Sequence, residues 1–512
     1  MRIPRIAIIG AGIAGLVAAI DLACAGFEVL LFERAATPGG KMRRVSIDGQ
    51  SMDAGPTVFT LRRRFEEIFS DAGDSLDQRL NLISANVLAR HSWNSHEHLD
   101  LFADVDQSAQ AIGEFAGWRE AQGFRRFTAQ AQRIYATLED SFMRAPRPSP
   151  LGLIRRIGLA HAVDLWNIQP FATLWQSVGR YFEDPRLRQL FARYATYCGS
   201  SPFAAPATLM LVAHVEQAGV WYIEGGMHEL AVQLAALAER KGATLRYASE
   251  VARIELRNGR VDAVLTADGE RSAVDAVVCN ADNHALAAGL LGSEVRHGVH
   301  PTPVDARSLS AVTWNLLAHV EGFELAHHSV FFSADYRAEF EDIFRRRRLP
   351  SAPTNYVCAQ DRRDGAARAK QPSERLLCLV NAPPDGDTHL FDSAEIDACK
   401  NRVLDTLASR GLKLQVQGQA LATTPSDFNR LFPGTGGALY GPASHGWMAS
   451  FKRAGSRSAI PGLYLAGGST HPGPGIPMAA ISGRLAAACL RTDFGSIAQY
   501  HPMATSGGTS MR

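Results

Sequence analysis

The sequence predicts an α/β fold, α+β overall, organised around a Rossmann-type nucleotide sheet, because three separated stretches carry buried-strand and glycine-turn patterns. A strand, a glycine loop, a helix and a second strand succeed one another between Ile6 and Glu33. Further apolar strands stand at 244–247 and 274–279, and a last one at 462–467 precedes an alanine-rich helix. The stretches between them have other patterns. The sheet is therefore predicted to be discontinuous, with segments inserted between its pieces.

Taken in order, Ile6-Ala7-Ile8-Ile9 is a short apolar run ending in glycine, the signature of a parallel strand buried on both faces. Residues 13–25 are rich in Ala and Leu and read as a helix that Gly26 stops. Residues 28–33 form the next strand. From about 114 to 200 the period is helical, with many Arg and aromatic residues, and a helical cap is expected. Gly225-Gly226-Met227 starts a helix running to about Lys241. Residues 251–256 and 261–265 read as a hairpin closed by Asn258-Gly259. From about 291 to 457 the pattern is mixed α+β, and 479–490 is a final helix. No 20–50-residue internal repeat appears.

Composition narrows the function. The chain has 512 residues, 46% hydrophobic and 20% charged, an ordinary globular balance. A net charge of +2 gives no electrostatic argument for nucleic acid. Arg62-Arg63-Arg64 and the arginines from Arg345 to Arg348 read as solvated faces. The seven cysteines are scattered without a CxxC pair, which fits reduced thiols and offers no metal site. No signal-peptide pattern opens the chain, and no run approaches about 20 apolar residues, so no spanning helix is expected. Residues 503–512 read as a disordered tail.

The first motif with chemistry is Gly10-Ala11-Gly12-Ile13-Ala14-Gly15. Gly10 permits the tight turn, Gly12 lets a pyrophosphate reach the backbone, and Gly15 lets the helix pack on the strand. The helix start at Ile13 and Ala14 offers free N–H groups to phosphate. Glu33, ending the second strand, suits ribose hydroxyls, and Arg34 follows it. A second glycine pair, Gly39-Gly40, then Lys41, and a third tight segment, Asp53-Ala54-Gly55-Pro56-Thr57, give a long dinucleotide further points of approach.

On these residues the sequence resembles the phytoene desaturase family of flavoproteins, which shares its FAD fold with amine oxidases. The resemblance covers most of the chain. It is carried by Asp53 to Thr57, by Ser201-Pro202-Phe203-Ala204-Ala205-Pro206, by Gly219-Val220-Trp221-Tyr222 with Gly225-Gly226-Met227, and by Val278-Cys279-Asn280-Ala281-Asp282. It ends in Tyr464-Leu465-Ala466-Gly467-Gly468-Ser469-Thr470-His471-Pro472-Gly473-Pro474-Gly475-Ile476-Pro477, a long segment that faces the flavin in the family. Two positions depart from the family pattern: Lys41 stands where arginine is common, and Ser469 where an acid often touches FAD. Within the family, Tyr440-Gly441-Pro442-Ala443-Ser444-His445-Gly446-Trp447-Met448 is most similar to the bacterial hydroxyneurosporene (1-hydroxycarotenoid 3,4-) desaturases.

The resemblance implies FAD as cofactor, with contacts at Gly10, Gly12, Ile13, Ala14, Gly15, Glu33, Arg34, Gly39, Gly40, Lys41, Gly55, Pro56, Thr57, Val251, Gly467, Gly468, Gly475, Ile476 and Pro477. It implies FAD-binding parts at 1–85, 221–290 and 458–495, a helical cap at 86–220, a substrate domain at 291–457 and a tail at 496–512. The activity implied is hydride removal from an acyclic carotenoid to flavin N5, introducing a C-3,4 double bond into a 1-hydroxylated substrate. Loss of a hydride beside a conjugated chain leaves a delocalised cation whose neighbouring proton departs readily, so no strong base is obligatory. Phytoene desaturation and carotenoid cis–trans isomerisation are the alternative reactions, and amine oxidation a more distant one.

His471, His445, Glu224 and His214 are the candidate acid/base or polar groups, and His471 is a candidate partner for the substrate's tertiary hydroxyl. Trp166, Phe171, Trp175, Tyr181 and Phe182 are expected to line an apolar tunnel, to contact a bilayer or to fill the cap core. Because free carotenoids are insoluble, a cytoplasmic protein attached peripherally to a bacterial inner or photosynthetic membrane is expected. The resemblance leaves the electron acceptor open between oxygen and a quinone.

Overall fold

The structure is a computed structural model and describes residues 2–147, 149–157, 168–363 and 373–500. Trp166 and the tail at 503–512 lie outside the described residues.

A five-stranded parallel sheet runs in the order Thr244–Arg246, Glu28–Phe32, Arg5–Ile9, Ala276–Cys279, Leu463–Leu465. Its strands come from three distant parts of the chain. They are near-continuously apolar because both faces are covered. Ile6, Ile8, Val29, Leu31, Ala276 and Val278 point to one side, where helices Ile13–Cys24, His228–Arg240 and Ile476–Tyr500 pack. Ala7, Ile9, Leu30, Phe32, Val277 and Cys279 point to the other, against a three-stranded antiparallel sheet that includes Val251–Arg257 and Arg260–Thr266. The hairpin between those two strands turns at Asn258 (φ 52°) and Gly259 (φ 74°), as a type I′ turn demands. The final helix meets the first almost backbone to backbone: a Cβ at Gly483 would stand 2.2 Å from the Ala14 carbonyl oxygen.

A seven-stranded sheet forms the second layer, in the order Leu412–Thr423, Ser310–Gly322, Glu374–Ala382, Asn355–Ala359, His328–Phe331, Val87–Ser92, His98–Phe102. Helix Ser393–Ser409 covers its outer face through Ile396, Cys399, Val403 and Leu407. The last two strands lie in a region whose sequence suggests only cap. They escape a hydrophobicity reading because Val87–Ser92 carries Arg90, His91 and Ser92, and the latter two are fully buried.

Over the sheet's inner face sits a cap whose helices include Val105–Ala116, Trp118–Leu138, Pro185–Ala192 and Leu211–Gln217. Its core is aromatic: Phe182 stacks on Phe191 at 4.5 Å, and Phe127 and Phe124 tilt against the same ring. Each fully buried Phe stabilises the packing by about 1.5–3 kcal/mol. Of the aromatic residues expected at a tunnel or bilayer, Phe182 is core, Tyr181 and Trp175 are half-buried against Phe127 and Phe203, and Phe171 is exposed beside Trp447.

Candidate functional site: a glycine cradle roofed by the C-terminal segment

The cradle is built by absence of side chains. Gly10 has φ 97°, a conformation open to glycine. A Cβ on Gly15 would lie 2.1 Å from the Gly10 carbonyl oxygen, and one on Gly12 would lie 2.8 Å from Asn280 Nδ2. Gly12 is the N-cap of the first helix in an extended conformation, and no side chain caps that end. The helix therefore presents uncapped N–H groups, with Ile13 and Ala14 in its buried first turn. The glycine pair meets the loop directly: Gly39 donates its N–H to the Ala11 carbonyl at 2.9 Å, and a Cβ on Gly40 would touch Gly12 Cα at 3.2 Å. Two backbone turns thus converge with little side chain between them, a geometry open to the close approach of a phosphate.

Glu33 is buried and oriented. Its Oε2 accepts the Ala11 N–H at 2.7 Å and its Oε1 accepts the Ala35 N–H at 2.8 Å. A carboxylate accepts about four hydrogen bonds, so two acceptor positions remain for a diol. Arg34 turns away, donating to the Arg430 carbonyl at 3.0 Å. Val251 opens its hairpin strand, buried against the far face of the cofactor sheet.

Lys41 donates from Nζ to the Leu439 carbonyl, and burial lowers its pKa. Asp53 clamps the next turn: it accepts the N–H groups of Met227 (2.6 Å) and His228 (3.2 Å), while its own carbonyl accepts from Asn315 and Gln360 at 2.9 Å. Burial raises the Asp53 pKa against these hydrogen bonds. At the end of this loop, past Gly55 and Pro56, Thr57 Oγ1 is 2.7 Å from the Tyr356 hydroxyl. A Cβ on Gly55 would stand 2.0 Å from the Lys41 carbonyl oxygen.

Asn280 joins the two ends of the chain. Its Nδ2 donates to the Gly10 carbonyl at 3.2 Å, and its Oδ1 stands 2.9 Å from where a Gly467 Cβ would be. Beyond Gly467, Ser469 Oγ accepts the Asn283 N–H at 3.1 Å, so the residue at the family's acidic position serves as a local clasp. Gly468 gives its carbonyl to Arg453 at 3.1 Å. Gly475 (φ 108°) leads into the last helix at Ile476, and Pro477 fits that first turn, where its missing N–H costs nothing.

Arg453 and Asn280 are the two residues that a motif reading passes over as site groups. The Arg453 guanidinium is buried and donates to the carbonyls of Tyr440, Pro442 and Gly468; burial lowers its pKa to about 10. In sequence it stands in Phe451-Lys452-Arg453, indistinguishable from a solvated charge. Asn280 sits in a motif that carried the resemblance, and its position one residue past a buried strand was the available signal.

The acid/base candidates are spread out. His471 is fully buried; Nε2 donates to the Phe142 carbonyl at 2.9 Å, and its ring packs edge-on to the Phe142 ring at 4.7 Å. Burial lowers its pKa to about 4. His445 Nε2 accepts the Ser201 N–H at 2.9 Å, and burial takes its pKa to about 4. Both rings are neutral at pH 7. His214 lies against Tyr135 with centroids 5.0 Å apart, its pKa lowered by burial. Glu224 is exposed and accepts from Asn81 Nδ2 at 2.7 Å.

The inner sheet face gathers residues that the sequence leaves scattered. His328 Nδ1 is 2.7 Å from the Tyr356 hydroxyl, and Cys358 Sγ is 3.5 Å from His327 Nε2. Potential ligand atoms of His327, His328 and Cys358 lie within 4.8 Å of one another, and burial pushes the Cys358 thiol pKa up.

Flavin-containing amine oxidoreductases match this chain over residues 13–491. It is 52% identical to a hydroxyneurosporene desaturase of Rubrivivax gelatinosus, covering 100% of this chain and 98% of that one. It is 43% identical to a hydroxyneurosporene desaturase of Cereibacter sphaeroides, covering 96% and 99%. Among solved structures, an oxidoreductase from Methanosarcina mazei superposes with a TM-score of 0.60 at 16% identity over 95% of this chain and 100% of that one. Cyclohexylamine oxidase of Brevibacterium oxydans gives 0.57 at 14% identity over 96% and 100%. The uncapped helix start, the converging glycine turns and the oriented acid fit a dinucleotide, and the chain belongs to the flavin-containing amine oxidoreductase family as an FAD-dependent oxidoreductase.

Proposed function

We infer that this protein is a carotenoid desaturase that introduces a C-3,4 double bond into 1-hydroxylated acyclic carotenoids. The observation that carries this reading is the 52% identity to a hydroxyneurosporene desaturase along both full chains. When bound, FAD supplies the hydride acceptor, at flavin N5, for the carbon beside the polyene. The chain's own residues do the rest. The turns at Gly10–Gly15 and Gly39-Gly40 receive the pyrophosphate, and Glu33 takes the ribose. The turn at Gly55, Pro56 and Thr57 and the segment from Gly467 to Pro477 enclose the flavin half. The aromatic cap excludes water.

We assign His471 an anchoring role: its Nε2–H, given to the Phe142 carbonyl, fastens the C-terminal segment to the cap. Arg453 holds the loops at Tyr440 and Gly468 together from below. The test is incubation of the flavin-loaded enzyme with phytoene, neurosporene and 1-hydroxyneurosporene separately, with products resolved by chromatography. Conversion of the hydroxylated substrate to a longer, red-shifted chromophore is expected. Conversion of phytoene in preference, or isomerisation without added unsaturation, would overturn the reading.

Among the described residues no helix is long and apolar enough to cross a membrane. We propose peripheral attachment to a bacterial membrane, with oxygen or a quinone there as the electron acceptor. It is supported by the helix Pro150–Ile157, where Leu151 is 81% and Ile154 44% exposed beside Arg155 and Arg156. A protein with aspartate at both apolar positions should lose sedimentation with anionic vesicles; unchanged sedimentation removes this surface from consideration.

A further inference from the structure

The inner face of the seven-stranded sheet carries polar groups in two adjacent rows. The strand registers place Thr313, Leu379, Tyr356, Val330 and His91 side by side across five strands. They place Asn315, Leu377, Cys358 and His328 in the neighbouring row. Residues that alternate with these, such as Val357, Phe331 and Trp314, belong to the core on the opposite side. Val330 and Tyr356 instead pack into the cap core.

Four residues in the two rows keep a buried polar atom without a hydrogen-bond partner among the described residues: His91 Nε2, His328 Nε2, Thr313 Oγ1 and Asn315 Oδ1. An unpaired buried polar atom is costly and rare, and a row of them on one face marks where a polar ligand group or ordered water belongs. Asn315 already reaches the Asp53 loop through its Nδ2. Tyr356 bridges the same loop, at Thr57, to His328.

We propose that Tyr356 and His328 form the subsite that receives the substrate's hydroxyl group. This rests on the carotenoid reading above. The alcohol carbon of a 1-hydroxylated carotenoid is one methylene away from the carbon that becomes unsaturated. The group that holds the alcohol therefore stands beside the cofactor loops and not at the far end of a long apolar tunnel. Tyr356 meets that condition through Thr57.

The chemistry matches in either proton arrangement. If Thr57 donates to Tyr356 and Tyr356 to His328 Nδ1, then His328 Nε2 carries a proton and donates to the alcohol oxygen. If the chain runs the other way, Nε2 accepts the alcohol proton. A hydroxyl is both donor and acceptor and satisfies each. A hydrocarbon end satisfies neither and leaves the imidazole unpaired, which penalises the unhydroxylated chain.

The measurement is kcat/KM of the flavin-loaded enzyme on 1-hydroxyneurosporene and on neurosporene. Wild type should favour the alcohol. His328→Leu should lower that preference about ten- to a hundredfold, by loss on the hydroxylated substrate and gain on the unhydroxylated one, with an unchanged flavin spectrum. His328→Gln, which keeps a donor and an acceptor, should restore much of it. Should His328→Leu fail to fold, Tyr356→Phe carries the test, because it removes one oxygen and leaves the ring.

A flavin-bound leucine or phenylalanine variant with the wild-type ratio overturns the subsite. So does one tightly bound metal ion per chain in elemental analysis, which would make His328 a ligand. Wild type with no preference for the alcohol counts against the carotenoid 3,4-desaturase reading itself, before any variant is made.

Discussion

The glycine cradle and the inner face of the seven-stranded sheet are both buried, yet they specify a ligand in opposite ways. At Gly10, Gly12 and Gly15 the site we propose for FAD is backbone: Gly10 needs φ 97°, a Cβ on Gly15 would stand 2.1 Å from the Gly10 carbonyl oxygen, and one on Gly12 would stand 2.8 Å from the Asn280 side-chain amide. On the sheet, the selection we propose is by the side chains of His328 and Tyr356, which strand pairing makes neighbours. The first arrangement is contained in a few consecutive residues and suits a cofactor common to a large family. The second can be altered one side chain at a time without disturbing a turn. That is a physical reason for one flavin fold to serve amines and polyenes alike.

The largest effect is expected at Gly15. Gly15→Val puts a side chain 2.1 Å from the Gly10 carbonyl oxygen and should cost about 3 kcal/mol or more, over a hundredfold in FAD affinity. Purified protein should be colourless with normal far-ultraviolet circular dichroism; retained stoichiometric flavin would show that backbone shape does not control the site.

On the sheet side, Glu339 is buried under Thr354 and Asn381, and burial raises its pKa to about 7. The folded state therefore holds a proton that the unfolded chain releases near pH 4.5. This contribution to stability is full below that value, falls as pH rises to about 7, and is flat above. Glu339→Gln removes the titration, so its stability relative to wild type should climb by about 2–3 kcal/mol between pH 4.5 and 8. Melting curves at several pH values check this, and a constant difference refutes it.

A smaller effect is expected where the two ends meet. Asn280→Ala loses the tie to the Gly10 carbonyl, about 1–2 kcal/mol, read as roughly tenfold weaker FAD retention in a dilution assay. The smallest is Glu33→Gln, which keeps one acceptor oxygen but loses charge. It should weaken FAD by about 1 kcal/mol with little change in substrate preference. If it altered the ratio of hydroxylated to unhydroxylated turnover, the division of labour between the two regions would be wrong.

What could be read from sequence follows the same division. Gly10 to Gly15, the Asn258-Gly259 turn and the segment from Gly467 to Pro477 are legible because their geometry is dictated by neighbours in the chain. The strand Val87–Ser92 was not, since its buried His91 and Ser92 look polar until the partner strand is known. Arg453 was unreadable because its three carbonyl partners lie on two separate loops. His328 and Tyr356 are 28 positions apart, and only the pairing of their strands makes them neighbours.

The edge strand Leu463–Leu465 and the helix from Ile476 that lies on Ala14 have a consequence for biosynthesis. The central strand Arg5–Ile9 leaves the ribosome long before the edge strand Leu463–Leu465 that completes its sheet. A chain released early lacks both the roof and the brace of its nucleotide site. Flavin capture should thus wait for the segment from Leu463 into the last helix, and a product truncated before it is expected to stay empty apoprotein.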